Sequence, residues 1–116
     1  MSEAAKAGEN HYRHVMEDNH EEWLKTFTTD IQERVQSIKN SGMKGHITEF
    51  YWEAGRKRVT KYGIRYEFAL ERSTGEPDRK LVFFRRIGKD GKQQGINTKL
   101  IMKNENGEWK VYIPSY

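Results

Sequence analysis

The hydrophobic period of this 116-residue chain changes near residue 45, and that change limits the folds open to it more than any other feature. Before it, apolar residues recur at helical spacing. Tyr12, Val15 and Met16 fall at i, i+3 and i+4, and Trp23, Leu24 and Phe27 repeat the pattern. The polar run Glu17-Asp18-Asn19-His20 between them predicts a break into two short helices. A third helix is signed by Thr29 and Gln32, spaced as a capping box, and by the stripe Ile31, Val35, Ile38, with Lys39 and Gly42 as its stop. After the change, Tyr62, Ile64, Tyr66, Phe68 and Leu70 alternate with Gly63, Arg65, Glu67, Ala69 and Glu71, as in a strand buried on one face. Residues 81–87, 96–103 and 109–113 also read as strands, and 46–53 as a first, less regular one. The expectation is a single α+β domain, with a disordered tail over residues 1–8, helices over 9–42 and an antiparallel meander over 45–116.

The turns set a register. Asn106-Gly107 and Asp90-Gly91 are strong hairpin signals, because both central residues of a type I′ turn need positive φ. Two-residue loops at both sites would place Met102 opposite Val111, Leu100 opposite Ile113, Leu81 opposite Leu100, and Phe83 opposite Thr98. A turn over Ser73–Asp78 would set Leu70 beside Leu81, Phe68 beside Phe83, and Tyr66 beside Arg85. These pairings give an inward row Leu70–Leu81–Leu100–Ile113 under the helices. A slip of one residue would invert a whole strand.

Composition excludes several classes. Aromatic residues are 12% of the chain, too many for a disordered polymer, although 33% is charged. No apolar run approaches the ~20 residues of a membrane helix, so no membrane partner is expected. With no cysteine, disulfides, thiolate catalysis and cysteine-ligated zinc are excluded. Met1–Lys6 lacks the apolar core of a signal peptide, so the expected location is cytoplasmic; the mature part of an exported protein would read the same. Residues 1–42 carry five basic and eight acidic side chains, whereas 43–116 carry sixteen and nine. An acidic helical part thus precedes a basic sheet.

Asn19-His20-Glu21-Glu22-Trp23 through Phe27, and Leu100-Ile101-Met102-Lys103 through Gly107-Glu108-Trp109-Lys110-Val111, set short helices before a bent sheet. This layout resembles the nuclear-transport-factor-2-like superfamily, the cone-shaped fold of ketosteroid isomerases and SnoaL-type cyclases. The resemblance implies a cavity between helices and concave sheet face, and often a dimer through the convex face. No tyrosine with paired carboxylates matches the isomerase arrangement. A cystatin-like fold, one helix on a similar sheet, is the nearest alternative.

Candidate sites follow from the faces. Tyr66, Arg85 and Thr98 interrupt the inward rows, and an inward guanidinium needs a partner because desolvating a charge is costly. Glu49 would serve if Gly55-Arg56 were the turn of a first hairpin. Together they would line a pocket in which a cation orients an anionic or carbonyl-bearing small molecule, or else form a structural Arg–Glu pair. On the outer face, Val82, Phe84, Ile101 and Tyr112 are candidates for a homodimer surface. Arg56, Lys57, Arg58 and Lys61 at one turn, with Arg86, Lys89 and Lys92 at another, could meet nucleic acid. His11, His14, Asp18 and His20 lack the spacing of a three-ligand metal site, so they are expected on solvated helix surface, with no metal and no cofactor. The reading is a non-catalytic binding or accessory domain with an internal pocket, dimerising through its sheet. A small-molecule enzyme using the pocket and a basic nucleic-acid binder are the alternatives.

Overall fold

A computed structural model describes residues 1–116 as four helices packed on one antiparallel sheet. Helix α1 spans Glu3–Met16, α2 His20–Leu24, α3 Thr29–Asn40 and α4 Ile47–Tyr62. Strands β1 (Arg65–Ser73), β2 (Arg79–Ile87), β3 (Thr98–Glu105) and β4 (Glu108–Ile113) form an open sheet in the order β1-β2-β3-β4. The α+β class expected from the periodicity is therefore the one observed. No helix is long and apolar enough to cross a membrane.

The supposed tail is the first turns of α1. Ser2 accepts a hydrogen bond from Ala5 N at 3.1 Å, which caps the helix. Ala4, Ala5 and Gly8 then bring the backbone close to the sheet, and a Cβ at Gly8 would lie 3.0–3.2 Å from Phe84 and Leu100 side-chain carbons. The polar run at 17–20 does separate α1 from α2, which Asn19 caps through Glu22 N. Thr28, not Thr29, occupies the N-cap of α3, and Gln32 reaches back to the Phe27 carbonyl instead of completing a capping box. The chain just before α3 runs alongside β4, with Val111 N donating to the Thr26 carbonyl at 2.8 Å and Thr28 N to the Val111 carbonyl at 3.0 Å. That pairing covers one edge of the sheet.

The expected strand at 46–53 is instead the start of α4. His46 caps it by accepting from Thr48 N, and Gly63, at φ 64°, ends it in the left-handed conformation. Gly55 is therefore not a turn residue. It lies mid-helix, where a Cβ would come within 2.9 Å of Val15 and 3.0 Å of Tyr116. The glycine lets α4 rest against α1.

The sheet register departs from expectation at two hairpins and two bulges. At Asn106-Gly107 both residues have positive φ, and Met102 faces Val111 as the two-residue turn requires. At Asp90-Gly91 only Gly91 does. Gly88 N bonds the Lys92 carbonyl, so the loop holds three residues, Lys89–Gly91, and the chain bulges again before Thr98. Phe84, not Phe83, consequently faces Thr98, and Val82 faces Leu100. β2 is inverted relative to the expected meander. The β1–β2 turn closes on Ser73–Lys80, which sets Leu70 opposite Phe83 and not Leu81, and bulges at Ala69 and Tyr112 then set Phe68 opposite Phe84 and Ile101 opposite Ile113. The core that results is Tyr12, Trp23, Phe27, Val82, Phe84, Leu100, Met102 and Val111, almost wholly shielded from solvent.

Candidate functional site

The expected pocket residues do not assemble. Tyr66 and Thr98 are buried on the inner face, but Arg85 points outward, where its Nη1 donates to the Phe68 carbonyl at 3.0 Å. The inverted register replaces it with Arg86 as the cross-strand partner of Tyr66. Glu49 is exposed on the first turn of α4, in a groove it shares with His20, Glu21, Val35, Met43 and His46. The same inversion removes Val82 and Phe84 from the outer face: both are fully buried under α1, while Ile101 and Tyr112 stay half-exposed outside. The space between helices and sheet is filled by side chains. None of the larger cavities is lined by Tyr66, Arg85 or Thr98; all of them open at the surface.

The basic residues expected at a hairpin turn lie on α4. Arg56 is committed to structure: its Nη1 donates to the Val15 carbonyl at 2.6 Å, where α1 ends, and its Nε lies 3.3 Å from Asp18 Oδ1. A cation there suits the negative end of the α1 dipole. Lys57, Arg58 and Lys61 are exposed, and Lys61 Nζ sits 5.5 Å from the Tyr62 ring centroid.

Two polar arrangements inside the core were not foreseen. His11 was expected on solvated surface, yet it is fully buried. Its Nδ1 lies 2.6 Å from Thr26 Oγ1 and its Nε2 2.6 Å from the Tyr116 hydroxyl. Proton directions follow from the ends of the chain. Thr26 spends its one proton on the Trp23 carbonyl at 2.6 Å, so it accepts from His11 Nδ1–H. His11 Nε2 must then accept from Tyr116, whose oxygen in turn accepts from Trp23 Nε1–H at 3.0 Å. The path begins and ends on Trp23 and holds the imidazole neutral. Burial, with a smaller contribution from His14, pushes His11 down to about 3. A histidine so held is poorly suited to carrying protons near neutrality. The i, i+4 relation of His11 to Val15 on the buried side of α1 was the signal available in the sequence.

The second arrangement centres on Tyr12 and Tyr66. Tyr12 Oη lies 2.8 Å from the Ser115 carbonyl and 2.7 Å from Thr98 Oγ1. The Ser115 carbonyl accepts from Tyr12, and Thr98 Oγ1, which also faces the Phe84 carbonyl at 3.4 Å, shares a hydrogen bond with the Tyr12 hydroxyl. Tyr66 stacks on Tyr12 with centroids 4.1 Å apart, but its own buried hydroxyl has no protein partner. Burial pushes Tyr66 up to about 12, against the pull of the nearby Arg86 and Arg58. Arg86 is itself anchored, donating to the Tyr116 and Ile96 carbonyls at 3.1 and 3.2 Å.

The outer sheet face carries no helix. Leu70 and Phe83 form one cross-strand pair there, and Leu81, Ile101 and Ile113 form a row across β2–β4, with Tyr112 beside it. Leu70 is 39% exposed and Ile113 44%. Arg72 lies over the Phe83 ring at 5.7 Å and Arg79 over Tyr112 at 5.1 Å. No protein-family model, curated protein or solved structure matches the chain.

Proposed function

We propose that this protein is a non-catalytic binding module that pairs with a second copy through its helix-free sheet face. The observation that carries the reading is the apolar band of Leu70, Leu81, Phe83, Ile101, Tyr112 and Ile113, which crosses all four strands with nothing packed on it. Bands of this kind are uncommon on soluble monomers, and an isologous pair buries the same band twice. The packed interior supports a module without an internal substrate site. The relationship to the nuclear-transport-factor-2-like superfamily belongs to the same proposal, since convex-face pairing is what that resemblance implies.

The rim of the band is basic, with Arg72, Arg79, Arg85, Lys99 and Lys103 outnumbering Glu67 and Glu105. Two such rims repel, so salt strengthens self-association by screening them. Nucleic acid on the same face would show the opposite salt dependence, because binding there releases counterions. The test is sedimentation equilibrium of the wild type and Phe83→Glu at low and high salt. Dimerisation that tightens with salt and is lost in Phe83→Glu supports the proposal. A monomer at every concentration, or assembly unchanged by Phe83→Glu, overturns it. Salt-weakened binding of a single-stranded oligonucleotide at this face would transfer the surface to the nucleic-acid reading.

A further inference from the structure

The inner face of the sheet does not stop at the Tyr66–Arg86 pair. One step further along each strand on the same face lie Ile64 and Gly88, and these two residues line a cleft of about 490 Å³. The last turn of α4 supplies Arg58 and Tyr62 to its walls, and the β2–β3 loop supplies Lys89, Asp90 and Gln94. Its volume falls in the range of small-molecule sites. The backbone is drawn in closely: Lys89 lies across Gly63, where a Cβ would meet its stem at 2.4 Å, and Gln94 lies against Gly88.

The charged groups of the lining are Arg58, Lys89 and Asp90. Tyr66 is 5% exposed and its hydroxyl finds no partner in the chain, an arrangement that costs stability unless something else satisfies it. Arg86 beside it uses Nε and Nη1 on carbonyls, leaving Nη2 uncommitted. Neither Arg58 nor Lys89 has a carboxylate partner. The single carboxylate in the lining, Asp90, turns Oδ1 to the Lys92 amide. Two unpaired cations against one carboxylate leave the lining net positive, with Arg86 and the Tyr66 hydroxyl behind it rather than in it.

We propose that the cleft between the end of α4 and the β2–β3 loop binds a small molecule through a phosphate or carboxylate group, held by Arg58 and Lys89. An oxyanion matches the donors geometrically, since guanidinium groups bind it through charge-assisted hydrogen bonds. The site lies on the helix side of the sheet, so it operates independently of pairing through the outer face.

The test is titration of the full-length chain with inorganic phosphate and with acetate at constant ionic strength, followed by amide chemical shifts. Phosphate or acetate should shift residues 58–66 and 86–94 saturably, the stronger of the two identifying the headgroup. Arg58→Ala should weaken binding roughly tenfold or more. Tyr66→Phe should leave binding unchanged while raising the melting temperature of the free protein, because it deletes an unpartnered buried hydroxyl behind the lining. Lys44→Ala, at the other end of α4, should bind as the wild type does. Shifts no larger than chloride produces, or equal binding by Arg58→Ala and Lys44→Ala, would overturn the proposal.

Discussion

His11 should make this protein sensitive to mild acid in a way one substitution removes. Folded, its pKa is held at about 3; unfolded, it returns to 6.5. The folded value is depressed, so the neutral ring contributes stability fully above 6.5, and the contribution is lost as pH falls from there toward 3. At ~1.4 kcal/mol per pKa unit the ceiling is about 5 kcal/mol, undiscounted because the ring is wholly shielded. Between about pH 7 and about pH 4.5 the loss should reach roughly 3 kcal/mol, a large part of the ~5–15 kcal/mol typical of a domain. The assay is urea unfolding at both pH values for the wild type and His11→Gln. Glutamine will lower stability at neutral pH by breaking the Thr26 and Tyr116 bonds, so the quantity read is the pH difference, not the midpoint. All other side chains are common to the two proteins, so the difference between them isolates residue 11. Equal acid losses in the two would refute the buried neutral imidazole.

The inverted β2 strand predicts that neighbouring phenylalanines behave oppositely. Phe84→Ala should cost about 3–5 kcal/mol by opening a cavity beneath α1, whereas Phe83→Ala on the outer face should cost under about 1 kcal/mol in the monomer. Chemical denaturation reads both, and the reverse ranking would restore the expected register. Gly55→Ala should destabilise by about 1 kcal/mol despite a better helix propensity, because its Cβ would press on Val15 and on a Tyr116 ring fixed by His11 and Trp23. A raised melting temperature would show that α4 can shift away.

What the sequence disclosed depended on how local the deciding physics was. Asn106-Gly107 set its hairpin because both residues adopt positive φ. Asp90-Gly91 looks identical in the sequence but closes a three-residue loop, and the choice is made by the chain beyond it. Since the side-chain period of a strand is two, that one residue exchanged Phe83 for Phe84 and Arg85 for Arg86, and with them the pocket and the dimer face. The bulges at Ala69 and Tyr112 are likewise tertiary adjustments without a distinct local signature. Helix α4 was hidden by its β-favouring start, Ile47-Thr48-Glu49-Phe50-Tyr51-Trp52, and by Gly55, which serves close packing. A better reading was available at its far end, where Lys61 and Gly63 form a helix stop. Ala4, Ala5 and Gly8 escaped notice because small residues contribute little to an apolar stripe, although they allow the close approach of α1.

The hydrogen-bond path through Trp23 also bears on how the protein folds. Its His11–Tyr116 link joins residues 105 apart, and the Tyr12–Ser115 link beside it spans 103. Contacts of such high order demand the loop-closure entropy of nearly the whole chain before they give anything back, whereas the β3–β4 hairpin can form from neighbours alone. The meander therefore closes through short loops, and the bonds of α1 to Ser115 and Tyr116 carry the largest closure entropy among these contacts.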